Sequence, residues 1–559
     1  MIRHHGPISG IATFGSTYIA TAGYDNQLIL WDARTQRGLT RVVHDHLANQ
    51  VSFSPDGRHL ISSSSDYTAR LWSVPGMKLI AVLSAQTDDV EMSVFHPSRE
   101  LIATASRDHK VRVYDFTGQV VATLAGHTAD VISVEWAADP DQLVSSSDDG
   151  TIKRWSVSRA TLLDDIDLGG VETDTIAITR TGTIYAGNDE GEIVAITQDG
   201  TTSQPAHAAG IKRLVYNGAC ELLVSLSYDR TFRIWDTSHG LVPVADATLP
   251  PEVWPRSCAF VDQDTLVFAT FGTTYATYRV STGHWDLSAV RATAGLNAVA
   301  LHEGHQLAIG DAGILRVDGA PRAEMRSLCN FLTPAGGVVF TGGQLGTVYD
   351  GATGALIYQH RSPLNCGASF IKNGMPHVVI GTYTGEGLVF SVCDGAVNHV
   401  ATLPLHENAV KGVAVSGGVL FAVCADTSAS WFSVDSYREV GRVKQAHERI
   451  VNGCAALPGG RFASVGRDYL LRIWDGASAT VISTPHDHSV KCVSASADGR
   501  FVGTGSYSGV VAVYDVAGAR WCTVVRPTTA GVSSLCWDER AGQFLASSYD
   551  GNVYRISAG

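Results

Sequence analysis

Histidine, serine and aspartate recur in this chain at spacings that could build a nucleophile and its base. His127, Ser145 and Asp149 are followed by Trp155; His207, Ser225 and Asp229 by Trp235; His447, Ser464 and Asp468 by Trp474. A Ser–His–Asp set is the constellation that activates a hydroxyl for acyl transfer. Two further strings, His44–Asp45–His46 and His486–Asp487–His488, offer imidazole and carboxylate groups of metal-binding type. Repetition decides the first case. A nucleophile is needed once, whereas this set returns at the same spacing along the chain, as a structural device would. The strings follow the same logic: His44 and His486 each precede a turn position, Asp66 or Ser508, by the 22 residues that separate His127 from Asp149. No catalytic, cofactor-binding or metal-ligating residue is expected, and no cofactor.

The elements that must position these residues are equally periodic. Segments such as "LISSSSDYTARLW", "LVSSSDDGTIKRW", "LLVSLSYDRTFRIWD" and "FASVGRDYLLRIWD" each combine a Ser/Thr-rich strand, a tight turn and a strand ending in Trp. The terminal residue gives a ladder: Trp31, Trp72, Tyr114, Trp155, Ile196, Trp235, Tyr278, Val317, Tyr349, Phe390, Phe432, Trp474, Tyr514 and Ile556. Its period near forty residues is that of a four-stranded propeller blade. Repeats five and seven to eleven are eroded. Propellers close with four to eight blades, so fourteen divide into two rings of seven. The fold expected is all-β: two seven-bladed propellers in tandem, fourteen blades of four antiparallel strands, over residues 1–283 and 284–559. The last repeat ends on a third strand, so a strand exchange is expected: Met1–Arg3 completing the seventh blade beside Tyr278, and His284–Val290 crossing to complete the fourteenth beside Tyr554.

Composition narrows the function. The 559 residues exceed one ordinary domain, and 57 glycines suit a fold rich in turns. With a net charge of −13 and no basic block, the chain shows no nucleic-acid footprint. It has neither a signal-like leader nor a long apolar run, which points to the cytoplasm and away from membranes. Arg in excess over Lys, with abundant Ala, Gly and Val, points to a GC-rich bacterial genome. The ten cysteines form no CxxC, and six (Cys258, Cys329, Cys366, Cys454, Cys492 and Cys536) fall on first strands of repeats, as small core residues. The Gly503–Gly509 stretch lies between strands, so it is not a phosphate loop.

The repeats resemble those of WD40 proteins over essentially the whole chain. The resemblance implies that each His–Ser–Asp–Trp set is a buried tetrad: Trp N–H donating to the hydroxyl, the hydroxyl to His, and His to Asp. It also places the residue before each turn Asp at a solvent-facing rim beside the central channel. From that column Tyr24, Arg107, Tyr228, Tyr383, Arg467, Tyr507 and Tyr549 are the candidate partner-binding residues, since Tyr and Arg dominate interface hot spots. WD40 relatives act as non-catalytic protein-interaction scaffolds. The function expected is therefore a sensor or assembly subunit of a multiprotein complex, with an NTPase, kinase or protease subunit as partner. The alternative is a propeller enzyme, a hydrolase or lyase, working at a channel mouth.

Overall fold

The computed structural model describes residues 2–325 and 327–559. Among them the strands form fourteen antiparallel sheets, thirteen of four strands and one of three. The chain divides into two compact units, Met1–Thr293 and Ala294–Gly559, of seven sheets each. Every sheet is a meander of consecutive strands; the first is Ile8–Phe14, Tyr18–Gly23, Gln27–Asp32 and Arg37–Val43. First strands pack side by side from blade to blade. In each unit the last returns to the first: Val253–Phe260 against Ile8–Phe14, and Val532–Asp538 against Leu296–His302. Each unit is thus a closed seven-bladed ring.

Burial explains the composition of each strand. A second strand is covered by neighbouring blades on both faces, so His59–Ser64 is buried at every residue after its first and uses Leu, Ile and small Ser side chains. The outer strand faces water on one side, and Arg37–Val43 alternates exposed and half-buried. All fourteen ladder residues lie on third strands, including Ile196, Val317 and Tyr349 of the eroded repeats.

Two expectations are corrected. His284–Asp286 pairs with Ala276–Arg279, setting Trp285 opposite Tyr278, so it is the seventh blade's own outer strand. Trp285 packs on Phe232, Phe268 and Tyr278 of the first unit. Among the described residues no strand is exchanged between the seventh and fourteenth sheets, and a boundary between 283 and 284 would cut the seventh blade; the units divide after Thr293. Local pairing wins because a three-residue hairpin strand closes a short loop, whereas an exchange must close a long one. Met1 lies outside the described residues. Ile2 and Arg3 form no strand, and the His4 N–H instead donates to the Thr273 carbonyl at 3.0 Å. The three-stranded sheet is the last, ending in Val553–Ser557.

Candidate interaction surfaces at the two channel mouths

The Ser–His–Asp sets are consumed by the fold. In blade 4, Trp155 Nε1–H donates to Ser145 Oγ (2.8 Å), Ser145 bonds His127 Nε2 (2.8 Å), and His127 Nδ1 bonds Asp149 (2.8 Å). The other two expected sets repeat this: Trp235–Ser225 2.9 Å, Ser225–His207 2.8 Å and His207–Asp229 3.1 Å; then Trp474–Ser464 2.8 Å, Ser464–His447 2.7 Å and His447–Asp468 2.9 Å. His44 joins Ser62, Asp66 and Trp72 in a fourth. A fifth, His4–Thr21–Asp25–Trp31, went unread in the sequence, although His4 precedes Asp25 by the 21 residues that separate His447 from Asp468. Burial opposes the charge on Asp229 and Asp468, but the bonded His overcomes it and holds each carboxyl near 2.

Neither His-Asp-His string gathers ligands. His44 sits in its tetrad, while His486 bonds Thr504 at 2.8 Å and Asp487 reaches Ser508 and Arg526. Among the described residues one trio, His406, Cys424 and Asp426, lies close enough to share a cation. His406 already bonds Ser428 (2.9 Å) and Ser430 (3.0 Å), and an Arg442 guanidinium nitrogen stands 3.2 Å from its Nδ1. Burial also raises the Cys424 pKa, disfavouring thiolate. The trio is a variant tetrad.

What faces each channel is decided by a bulge. Every first strand shifts register at its start, for example between Val410 and Gly412 or between Val490 and Cys492. The residue skipped is left out of the ladder and re-aimed. Around the first ring the skipped positions include Ser9, Asn49, Glu91, Ile132, Asp174 and Lys212; the seventh blade skips a longer stretch containing Arg256. Around the second they are Asn297, Asn330, Asn365, Lys411, Asn452, Lys491 and Ser533. Arg256 of blade 7 reaches Glu91 of blade 3 at 3.5 Å, which shows that these side chains meet across the ring. The sequence carried a signal for this column that was missed: each such residue follows the tetrad His by five positions, as in His207–Lys212, His447–Asn452 and His486–Lys491.

In the first ring this column and the rim form an ion-pair network. Arg107 contacts Glu91 and Asp130, each at 2.5 Å. Lys212 bridges Asp174 and Asp189. Burial opposes both cations, yet the paired carboxylates overcome it and hold them protonated. Asp148, buried among Asp174 and Asp130, has its pKa raised well above the usual carboxylate value. Tyr24 meets Trp254 edge-on (5.0 Å), and Lys212 lies over the Tyr228 ring (5.1 Å).

The second ring relies mainly on neutral clips, of the kind Asn49 makes once in the first ring to the Val90 carbonyl at 3.0 Å. Asn297, Asn330, Asn365 and Asn452 each donate Nδ2–H to the first-strand carbonyl of the next blade, at 3.1, 2.8, 2.8 and 2.8 Å. Between these clips stand Lys411, over the Tyr383 ring (4.8 Å), and Lys491, over the Tyr507 ring (5.9 Å). Tyr507 stacks on Tyr549 at 6.4 Å with their planes 12° apart. The candidate partner residues Tyr24, Arg107, Tyr228, Tyr383, Arg467, Tyr507 and Tyr549 are half-buried. Each also donates its backbone N–H to the residue preceding the bulge or its neighbour, as Arg467 does to Ile450 and Tyr507 to Ser489.

Comparison with known proteins fits this geometry. The family model "WD domain, G-beta repeat" matches residues 38–73, 77–115, 118–156, 199–236, 439–475 and 479–515. Each match begins in or just before the outer strand of one blade and ends on the third strand of the next. The matches fall in both units, and the eroded repeats fall in the unmatched stretches. Over 176 residues it is 32% identical to "Nuclear distribution protein PAC1" of Arthroderma benhamiae, covering 27% of this chain and 38% of that protein. Over 174 residues it is 30% identical to "WD repeat-containing protein 1" of Gallus gallus (29% and 28%). Over 188 residues it is 27% identical to "Transcription initiation factor TFIID subunit 5" of Caenorhabditis elegans (33% and 29%). The chain spans well under half of these relatives' lengths, and all three come from eukaryotes. No helix among the described residues is long and apolar enough to cross a membrane.

Proposed function

We propose that this protein is a non-catalytic interaction scaffold that holds protein partners at its channel mouths, as a subunit of a larger cytoplasmic assembly. The observation that carries this reading is the fate of the Ser–His–Asp sets. Four blades bury them in bonds to Trp and Asp, and a fifth does the same with Thr21, so the chemistry-bearing residues are spent on architecture. What the mouths offer instead is fixed aromatic and cationic side chains, the composition of an interface hot spot. The names of two relatives, a nuclear distribution protein and a transcription-factor subunit, are in keeping with assembly work. An NTPase, kinase or protease subunit is the kind of partner we expect.

Affinity capture from the native source tests the reading. Arg467→Ala, Tyr507→Ala and Tyr549→Ala should each weaken partner capture by about 2 kcal/mol or more. Each should cost no more than about 1 kcal/mol of stability, since these side chains sit half-buried at the rim rather than in the core. Unchanged yields for all three would remove the second mouth as a contact face. The enzyme reading has one group in its favour. Burial raises the carboxyl of Glu135, on the first strand of blade 4, to about 7, the range of a general acid or base. Turnover lost in Glu135→Gln would support that alternative.

A further inference from the structure

We propose that the mouth of the second ring binds an oxyanion presented by an acidic or phosphorylated peptide segment, held between Lys411 and Lys491 against the tyrosines beside them. The inference rests on the mouths being contact faces and adds the chemistry of what they contact.

Lys411 and Lys491 occupy the same bulged position on blades 4 and 6, on either side of Asn452. That position aims a side chain into the channel, as the Arg256–Glu91 pair in the first ring demonstrates. Lys212 holds the equivalent position in the first ring and is bracketed by Asp174 and Asp189. Among the described residues neither Lys411 nor Lys491 has a carboxylate ion-pair partner; each lies over a tyrosine ring. A π-face attracts a cation but does not neutralise it. The interblade bonding that carboxylates provide in the first ring is done here by Asn amides, so the two positive charges have no architectural task.

The two lysines differ electrostatically. Burial, then the charges of Lys491 and Arg467, lower the Lys411 ammonium to about 8, whereas Tyr507 raises Lys491. Two like charges in one confined mouth carry a repulsive cost that a bound anion would remove. The chain as a whole carries −13, which makes this mouth a local exception. The parallel Tyr507–Tyr549 pair borders the cations with a flat aromatic surface suited to a peptide rather than to a free ion.

The test uses the full chain and fluorescence anisotropy with three labelled twelve-residue peptides: one Glu-rich, one Ser-rich and phosphorylated, and the same Ser-rich peptide unphosphorylated. Saturable binding of the Glu-rich or phosphorylated peptide is expected. It should fall at least tenfold in Lys411→Gln and in Lys491→Gln, weaken with added salt, and persist in Lys444→Gln, which changes an exposed lysine elsewhere. Binding of both charged peptides would mean that any oxyanion serves; binding of the phosphorylated one alone would mark a phosphate site. A second measurement on the unmutated protein guards against a variant that misfolds. Lys411 should be acetylated by acetic anhydride at pH 8 faster than other lysines, and the bound peptide should slow this reaction. Overturning results are no saturable binding by either charged peptide, equal binding of the unphosphorylated one, affinity unchanged in both lysine variants, or preference for a single-stranded oligonucleotide. Bound peptide with partner capture untouched by the rim variants would sink the contact-face reading alone. Capture lost in those variants with no peptide bound would sink the oxyanion alone.

Discussion

The two channel mouths share one backbone design and use it for opposite electrostatics. In the first ring, charge is spent internally: Arg107 with Glu91 and Asp130, Lys212 with Asp174 and Asp189. Arg107–Asp130 and both Lys212 pairs cross blade boundaries and bind the ring together, while Arg107–Glu91 lies within blade 3. In the second, Asn365 and Asn452 make the crossings without charge, and Lys411 and Lys491 are left facing the channel. The same bulged position thus carries either an architectural ion or one available to a ligand, according to whether its neighbour is Asp or Asn.

The largest expected effect breaks that comparison directly. Lys212→Met should destabilise the first unit by about 3–5 kcal/mol, because it strands two carboxylates in a buried site. Lys411→Met should change stability by less than about 0.5 kcal/mol or increase it. Urea unfolding of both variants decides; equal losses would mean that Lys411 is architectural too. Next, Trp285→Ala should cost the first unit about 3 kcal/mol, as large aromatic truncations do. Hydrogen exchange would locate the loss, and loosening of the second unit instead would revive the strand exchange.

The tetrads should not distinguish the rings. Trp155→Phe and Trp474→Phe should each cost about 1–3 kcal/mol, because the buried Ser hydroxyl loses the N–H it accepts. A loss of partner binding at unchanged stability would mean the sets have a function of their own. Asn452→Ala should cost about 1 kcal/mol, the net worth of a single hydrogen bond, and only in the second unit.

The smallest effect is a pH dependence. The folded state favours neutral Glu135, with a pKa of about 7 against an ordinary 4.5. Its contribution is complete below 4.5 and is lost as pH rises through 7. First-unit stability should therefore decline from pH 5 to 8, and Glu135→Gln should flatten that slope by about 1 kcal/mol. The tetrad carboxylates run the other way. With Asp229 and Asp468 held near 2, their contribution is present above the ordinary value of 3.8 and is lost as pH falls through 2.

Much of this architecture was legible in the sequence. A residue such as Ser145 can sit between two blades only if it is small and its hydroxyl is bonded, so Ser, His, Asp and Trp must recur at fixed spacing. That requirement writes the blade count and the tetrads into the chain, even where Ile196 or Val317 replaces Trp. The seventh blade was misread because pairing depends on which segment reaches Tyr278 first. A three-residue strand such as His284–Asp286 leaves almost no periodic signal. Lys411 and Lys491 were passed over for a related reason. Their spacing from His406 and His486 was visible, but a bulge has no residue type of its own.

By itself, then, the amino-acid order determined the blades, because burial between sheets tolerates few side chains and so repeats them. Only the closed rings decided which charges meet. Glu91 and Arg256 are far apart in the chain and adjacent across the channel, and Lys212 finds Asp174 on the neighbouring blade while Lys411 finds Tyr383. Coulomb energy depends on distance through space, and closing the ring is what sets that distance.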